Sequence, residues 1–404
     1  MAMRSTDIVV VGLGTMGSMT LWQLATTSDQ SVLGIEQYGP VHANGAYAGE
    51  SRLFRVAAKE GELYVPLLQR SRELWVELER QSQREILIPC GVLSLGPRSH
   101  PDIVATRRAI DDFALPHDVL DPVNVRTRYP QFHVEDDDIG IFDPLAGGLR
   151  PEVAVHAATQ QAVRAGAEVL YNTGVRGIDV RGDHVIVSTD AGEIRASKVV
   201  VTTGAWTTRL LPDLRPLLTV STYLLTWLMP RHIEQFMPTR FPAFLRDLGD
   251  LHAFGAPSFD GYSIKFCPNR LLPDVASFEE WPTTVGREHL RWIGEQAERL
   301  FPDLIPDPVR WSLHSDSETK DKMPLIDSYE DGRITLAVGM SGYGFKFAPV
   351  YGQLVADLVT TGASDWQHDL FRIEGHLARN LRVPSRSRAN DSMGPTKADE
   401  HHAQ

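Results

Sequence analysis

Short apolar runs followed by glycine mark the start of the chain. The run from Asp7 to Gly12 is rich in β-branched residues, which indicates a strand buried on both faces. Residues 18 to 25 carry apolar side chains suited to a helix, and residues 31 to 36 form a second strand-like run. The pattern predicts a βαβ unit with the right-handed crossover that such units adopt.

Strand and helix patterns recur later in the chain, with other material between them. An amphipathic helix is predicted from about Leu63 to Gln81. Further predicted elements are a strand over 86–95, a helix over 149–165, antiparallel strands over 175–190 and 193–202, a strand over 333–339 and a helix over 348–359. Residues 219 to 268 are rich in aromatic side chains and short strand-like runs, as expected of a separate sheet domain.

The turn between the first strand and the first helix carries a glycine motif. Gly12, Gly14 and Gly17 have GxGxxG spacing, and Glu36 ends the next strand. In this context the glycines permit a tight turn, a close approach of the backbone to a pyrophosphate, and close packing of helix on strand. Glu36 would accept hydrogen bonds from an adenosine ribose. The alternative is a glycine-rich surface turn with a solvated Glu36.

The motif alone does not separate FAD from NAD. A second glycine-rich segment, from Gly339 to Gly344, follows a strand and precedes a helix late in the chain. Two such backbone segments, far apart in sequence, suit an extended flavin dinucleotide.

We therefore predict an α/β (α+β) fold: a Rossmann-like FAD-binding domain with an inserted antiparallel-sheet domain for substrate. The FAD-binding domain is predicted to be discontinuous, over 1–85, 148–218 and 312–381. Residues 86–147 and 219–311 are assigned to the substrate domain. Residues 382–404, which have little apolar content, are predicted to be a disordered tail.

Composition narrows the functional class. The 404 residues are 42% hydrophobic and 23% charged, with 40 Lys and Arg against 52 Asp and Glu. The net charge of −12 and the lack of a basic block argue against a nucleic-acid partner. No apolar run is long enough to span a bilayer, no signal peptide is expected, and two cysteines make no disulfide framework. We expect a soluble, cytoplasmic protein that handles a small molecule.

Several segments in order resemble one family of flavoproteins. The segments that carry the resemblance are Gly12–Gly17, Asn44–Arg55, Tyr64–Leu67, Arg72–Leu78, Gly91–Leu93, Gly204–Trp206, Lys265 and Gly342–Phe347. Through them the chain resembles the monomeric sarcosine oxidase and N-methyltryptophan oxidase group, within the D-amino-acid-oxidase-like superfamily, over nearly its whole length apart from the tail.

The resemblance implies an FAD-dependent amine oxidase, and a monomer. It would take a hydride from the Cα or N-methyl carbon of an amino acid, pass two electrons to O2, and release an imine and H2O2. In this family Arg55 and Lys346 correspond to the pair that clamps the substrate carboxylate. Arg52 corresponds to an arginine close to the flavin face, and Lys265 to a lysine near the flavin N5, where O2 is reduced.

The site residues are assigned from the glycine motif and from these correspondences. Catalytic roles are assigned to Lys265 and Arg52, and substrate contacts to Arg55, Lys346, Phe254, Asp316 and Tyr343. FAD contacts are assigned to Gly12, Gly14, Thr15, Met16, Gly17, Glu36, Gln37, Ser51, Arg52, Val175, Gly204, Trp206, His314, Gly342, Gly344, Phe345 and Lys346. No metal is expected.

The cationic residues also have ordinary explanations. Arg52 and Arg55 are three residues apart, so a helical turn would make them a solvated basic face. Lys265 would be an outward residue of a half-exposed strand. Lys346, between Phe345 and Phe347, is harder to explain in this way, because a lone cation in an aromatic stretch usually has a partner.

The sequence argues against the covalent attachment of FAD through cysteine that this family is known for. Its best-known members bind FAD through a cysteine about a dozen residues before the segment that ends at Asp327. Counting back reaches His314, and neither Cys90 nor Cys267 falls there. Non-covalent FAD is the leading hypothesis. A histidyl linkage through His314 and a hydrogen-bonded, half-buried His314 are the alternatives.

The predicted pocket also departs from the family. Phe254 and Asp316 replace tyrosines, and Asn269 and Ala48 replace histidines. If Asp316 faces the pocket, it would pair with a cationic or amine-bearing side chain; otherwise it is solvated. Sarcosine is therefore not favoured, and a secondary or cyclic amino acid or a biosynthetic intermediate fits equally well.

Three other functions stay open. One is a flavin dehydrogenase that uses an acceptor other than O2, which retention of Lys265 disfavours. Another is a non-catalytic dinucleotide-binding protein with a decayed pocket, which the intact Arg55, Lys346 and Lys265 disfavour. The third is an NAD-dependent dehydrogenase, which would hold no yellow cofactor.

Overall fold

The computed structural model describes residues 3–268 and 271–382. Asn269 and the segment 383–404, with most of the predicted tail, therefore lie outside the described residues. None of the helices within the described ranges is long and apolar enough to cross a membrane.

The described residues form nineteen strands and nine α-helices. The strands are β1 (Arg4–Val11), β2 (Val32–Ile35), β3 (Arg52–Phe54), β4 (Leu87–Ile88), β5 (Val92–Pro97), β6 (Asp118–Leu120), β7 (Asp138–Asp143), β8 (Gly147–Leu149), β9 (Glu168–Leu170), β10 (Val175–Arg181), β11 (His184–Thr189), β12 (Gly192–Val201), β13 (Leu218–Leu228), β14 (Ala243–Leu248), β15 (Leu251–Ala256), β16 (Ile264–Pro268), β17 (Arg310–Thr319), β18 (Leu325–Tyr329) and β19 (Ile334–Val338). The helices are α1 (Thr15–Thr27), α2 (Tyr64–Ser82), α3 (Pro101–Phe113), α4 (Pro122–Arg128), α5 (Pro151–Arg164), α6 (Thr207–Leu210), α7 (Arg287–Leu300), α8 (Ala348–Thr361) and α9 (Ile373–Arg382).

The first sheet has a parallel centre, as the βαβ pattern predicts. Parallel pairing joins β9, β2, β1, β12 and β19 in that order, and β10, β11 and β18 add antiparallel edges. Ile8 and Val10 of β1 pack into one core with helices α1, α2, α5 and α8, while Val9 and Val11 pack into the core on the other face. Burial on both faces explains the continuous apolar run, and the predicted Rossmann-like α/β fold is confirmed.

The second large sheet is mostly antiparallel, with strand order β17-β13-β16-β15-β14-β5-β7-β6. Its core is aromatic, with Phe132, Phe241, Phe244 and Phe301 in mutual ring contact. A small third sheet has the strand order β3-β8-β4. The proposed domain boundaries stay a prediction. The strand β17, which begins at Arg310, belongs to the second sheet, although residues from 312 were assigned to the FAD-binding domain.

Several local predictions differ from the structure. Arg52 lies in β3, an extended strand paired with β8, and not in a helical turn. The predicted strand over 86–95 is split into β4 and β5 around Pro89 and Gly91. Helices α3, α4 and α7 were not predicted. Their apolar faces are narrow. Two of them begin at a proline, and a proline considered from sequence alone indicates a turn.

Gly17 tests how closely α1 must approach β1. A Cβ atom at this position would lie 1.8 Å from the Gly12 carbonyl oxygen and 2.6 Å from the Thr202 hydroxyl. We expect Gly17→Ala to lower the free energy of unfolding by at least roughly 1–3 kcal/mol, the usual effect of overpacking, measured by denaturant unfolding. Gly39→Ala is the control, since a Cβ there meets nothing within 4 Å. Equal stability of both variants would contradict the tight contact.

Candidate active site

One large cavity brings the predicted site together. Its volume is about 1500 Å³, and it is lined by the ends of β1, β2 and β12 on one side and by strands of the second sheet on the other. All of the residues assigned to the site line it except Gly17. Single small-ligand pockets measure roughly 300–1,000 Å³, so this cavity has room for a dinucleotide and a second molecule.

The glycine turn leaves backbone exposed to this cavity. Gly12 has φ +86°, which a side chain would strain. A Cβ atom at Gly14 would meet only the Tyr47 ring, at 3.7 Å, so the packing of the protein itself does not demand glycine there. Gly14 is also the N-cap of α1 and supplies no side-chain cap, so the first N–H groups of the helix are free for an anion.

Glu36 is buried at the end of β2, and the solvated alternative is wrong. Its carboxylate accepts hydrogen bonds from the Leu13 N–H at 2.8 Å and the Tyr38 N–H at 3.0 Å. The ring Nε2 of His42 lies 3.4 Å from Oε1 of Glu36, the oxygen that accepts from Tyr38. These contacts fix the carboxylate at the cavity wall beside the glycine turn, as the ribose-binding assignment requires. Gln37, the next residue, also lines the cavity but is exposed.

Arg52 is held by backbone oxygens. Its guanidinium donates to the carbonyls of Ser51, Ala46 and Ala48, each at 2.7 Å. Burial lowers its pKa below the usual arginine value. Because carbonyls carry no formal charge, Arg52 keeps its full positive charge at the cavity wall.

Lys265 lies on the central strand β16 and is 3% exposed, so the outward-facing alternative is wrong. Its ammonium donates to the carbonyls of Ser51 at 2.8 Å and Gly49 at 3.1 Å. Burial, assisted by the charge of Arg52, lowers the pKa of Lys265 to about 7. The two cations share the Ser51 carbonyl, which makes Arg52 and Lys265 one positively charged unit.

Arg55 and Lys346 meet through a carboxylate of the chain itself. The Oε1 atom of Glu60 accepts from Lys346 at 2.8 Å and from Arg55 at 3.1 Å. Burial lowers the pKa of Lys346 to about 8, and the charge of Glu60 opposes that fall. Burial alone would raise the pKa of Glu60, but the two cations outweigh it and hold that pKa well below its usual value. The pair predicted to bind a carboxylate therefore binds one here.

His314 is a buried, neutral imidazole at the cavity. Its Nε2 atom lies 2.7 Å from the Ser312 hydroxyl, whereas its buried Nδ1 atom has no hydrogen-bond partner. Burial, with the nearby charges of Arg52 and Lys265, lowers the pKa of His314 to about 3. These properties fit both a packed histidine and one with a nitrogen free to bond, so both hypotheses stay open.

The other residues assigned to the substrate site are Asp316, Tyr343 and Phe254, and all three line the cavity. Asp316 is buried and accepts from the Gly342 N–H at 2.8 Å, so the solvated alternative is wrong. The ring of Tyr343 covers Lys346, with 5.0 Å from Nζ to the ring centroid. Phe254 packs beside Leu225 on the second sheet. Asn269 lies outside the described residues.

Sequence reasoning missed two acidic residues. Glu60 follows Arg55 by five residues in a loop, and nothing in the local sequence marks it as a partner of Lys346. Glu152, at the start of α5, accepts from the N–H groups of Gly49 at 2.7 Å and Glu50 at 3.0 Å, which fixes the loop that holds the two buried cations. No local pattern links Glu152 to residues a hundred positions earlier.

Comparisons with known proteins agree with this arrangement. Residues 7–358 match the model of the family described as FAD dependent oxidoreductase. The monomeric sarcosine oxidase of Streptomyces avermitilis is 33% identical over 377 residues, which cover 90% of this chain and 96% of that protein. The N-methyl-L-tryptophan oxidase of Escherichia coli is 31% identical over 375 residues, covering 91% and 98% of the two chains.

Solved structures share the fold. NikD, described as an unusual amino acid oxidase essential for nikkomycin biosynthesis, superposes with a TM-score of 0.79 at 22% identity, over 91% of this chain and 96% of its own. Glycine oxidase from Geobacillus kaustophilus gives a TM-score of 0.76 at 19% identity, over 91% and 98% of the two chains.

Proposed function

The chain belongs to the family of FAD dependent oxidoreductases, and from this premise we propose that it oxidises an amino acid, or an N-alkyl or cyclic amino acid, with O2 as the electron acceptor. The observation that carries the proposal is the pairing of Arg55 and Lys346 around one carboxylate. This carboxylate site opens on the same cavity as the exposed glycine turn and the buried Lys265.

The described residues fit FAD. Gly12, Gly14 and the free N–H groups of α1 accommodate the pyrophosphate, and Glu36 accepts from the ribose. The segment from Gly342 to Lys346 lines the other part of the cavity, with φ +79° at Gly342. When bound, FAD supplies the acceptor for a hydride from the carbon next to the substrate nitrogen, giving an imine, and returns the two electrons to O2 as H2O2.

Arg55 and Lys346 orient the substrate. The substrate carboxylate takes the position that the Glu60 carboxylate holds, because both cations already converge on one oxygen atom there. A planar guanidinium and an ammonium together fix the direction of the carboxylate, and hence of the Cα–N bond. No strong base is needed if the site binds the unprotonated amine.

Arg52 and Lys265 supply positive charge where O2 is reduced. A buried cation held only by carbonyls stabilises negative charge as it develops, because little solvent screens it. With its pKa near 7, the ammonium of Lys265 exchanges its proton readily as the charge beside it changes.

Location and oligomeric state belong to the same proposal. We place the protein in the cytoplasm as a monomer, and the monomeric state agrees with the name of its sarcosine oxidase relatives.

The spectrum of the purified protein is the first prediction. We expect flavin absorption that moves to the supernatant after acid precipitation, since non-covalent FAD is the leading hypothesis. Colour that stays in the pellet, and is lost in His314→Ala, would instead establish a histidyl bond. A colourless protein that takes up no added FAD would contradict the proposed function.

Lys265→Met tests the acceptor. We expect reoxidation of the substrate-reduced flavin by O2 to slow by roughly 100-fold, with anaerobic reduction little changed, because one preorganised charge is removed. Stopped-flow absorbance separates the two half-reactions. Lys198→Met is the matched control, because Lys198 also donates to a backbone carbonyl, that of Val359, but does not line the cavity. A reduced wild-type flavin that persists in air would identify a dehydrogenase instead.

Glu60→Gln tests the carboxylate site. We expect acetate and the substrate to bind up to about tenfold more tightly, about 1.4 kcal/mol, with kcat little changed, because a competing anion is removed. Glu60 opposes the fall of the Lys346 pKa to about 8, so without Glu60 that pKa drops below 8. The gain is therefore expected at lower pH, where Lys346 stays protonated, and should fade before pH 8 is reached. Perturbation of the flavin spectrum measures the dissociation constant.

Glu62→Gln is the control for this variant. Glu62 lies in the same loop but pairs with the exposed Arg108. Weaker binding in Glu60→Gln, or an equal change in both variants, would contradict the competition.

A further inference from the structure

One strand presents a row of ionisable side chains to the cavity. His314, Asp316 and Glu318 alternate along β17, and alternate residues of a strand point to the same face. All three are buried and line the cavity. Two carboxylates thus lie on the wall of a cavity that also contains Arg55 and Lys346.

Asp316 has a hydrogen bond but no ion pair. Its Oδ2 atom accepts from the Gly342 N–H, and within the described ranges no lysine, arginine or histidine nitrogen lies within 4.0 Å of its carboxylate oxygens. Burial, reinforced by the charge of Glu318, raises the pKa of Asp316 to about 6, so the group is ionised at neutral pH. A buried carboxylate is costly unless a cation or several donors compensate it.

The negative charge of Glu318 is compensated by a partly exposed lysine. Lys322 lies 2.7 Å from its Oε1 atom, and the Tyr223 hydroxyl donates to the same atom at 3.3 Å. The side chain of Lys322 is 45% exposed and is therefore able to move away when another cation arrives. Lys322 therefore supplies the counter-charge of Glu318, and Asp316 is the acid of this face that has no ion pair within the described ranges.

Asp316 and the carboxylate site line the same cavity. Asp316 is hydrogen-bonded to Gly342, and Lys346 follows Gly342 by four residues, so the Cα atoms of Gly342 and Lys346 lie at most about 14 Å apart even if the backbone were fully extended. The segment is shorter than this limit, because Gly344–Phe347 is a 3₁₀-helix. The ring of Tyr343 lines the same cavity next to Lys346 and offers an apolar surface to an aliphatic stem.

Resting on the proposed function, we propose that the substrate is an amino acid with a second, cationic group on its side chain, a primary amine or a guanidinium. Its α-carboxylate binds Arg55 and Lys346, and its side-chain cation binds Asp316, with Glu318 beside it. Asp316 is thus the residue that determines specificity for charge. A neutral side chain would leave the buried carboxylate uncompensated, and an acidic one would be repelled.

The test compares side chains of similar length and different charge. Lysine and ornithine, norleucine and norvaline, and 2-aminoadipate and glutamate are used in both enantiomers and as N-methyl derivatives. Anaerobic flavin reduction gives the rate, and perturbation of the flavin spectrum gives the dissociation constant independently of turnover. We expect the cationic compounds to be preferred over the neutral ones by about 100-fold in kcat/KM, with the acidic compounds the poorest.

Asp316→Asn keeps an oxygen that accepts from the Gly342 N–H but removes the charge. We expect this variant to lose at least tenfold of the preference, through weaker binding of the cationic compounds and unchanged binding of the neutral ones. Asp331→Asn, at an exposed position, is the matched control. Flavin content and thermal unfolding verify that the variant folds, and Glu318→Gln, expected to shift the preference in the same direction, is a second variant.

The outcomes separate the two proposals. Reduction of the flavin by neutral or acidic amino acids as well as by cationic ones would overturn the inference and leave the oxidase function intact. An unchanged preference in Asp316→Asn would also overturn it, and would assign Asp316 to holding the Gly342 loop. Failure of every amino acid to reduce the bound flavin would reject the proposed function itself.

Discussion

The burial of four cations around one cavity is the constraint on which the site depends. Arg52, Arg55, Lys265 and Lys346 are all largely withdrawn from water, and a buried charge is stable only when protein atoms replace its hydration. The surrounding loops are shaped to do this. The turn through Gly49 and Glu50 has positive φ at both residues, and the carbonyls of Gly49 and Ser51 in this turn accept from Lys265.

Two kinds of compensation divide the cations by role. Arg52 and Lys265 are held by neutral carbonyls, so their charge is solvated but not cancelled and is free to act on charge that develops nearby. Arg55 and Lys346 are held by Glu60, which cancels one charge and mimics the carboxylate of a ligand. The first arrangement suits a permanent field, whereas the second suits exchange with an incoming anion. A single kind of partner would not serve both roles.

Local sequence spacing was sufficient for one part of the site and insufficient for the other. The turn at Gly12, Gly14 and Gly17 and the position of Glu36 were predictable, because they belong to one βαβ unit of about thirty residues. The conformation of Arg52 was not, since β3 is a strand only through pairing with β8, about a hundred residues later. The meeting of Glu60 with Lys346 was also hidden, because it joins residues that are 286 positions apart. Family resemblance named the cations but not the acid between them.

The charged surroundings change along the strand β17, and the side chains on its cavity face change with them. At His314 burial, reinforced by the nearby charges of Arg52 and Lys265, lowers the pKa and keeps the imidazole neutral. Two residues later, Arg52 still lowers the pKa of Asp316, but this effect is weaker than that of burial. At Glu318 the strand is near the cavity rim, where Lys322 supplies the counter-charge. Along this face, a neutral imidazole at His314 is followed by a carboxylate without an ion pair at Asp316 and an ion-paired carboxylate at Glu318. The carboxylate at the middle position is the one that the protein itself compensates least, and a cationic ligand group gains most by binding there.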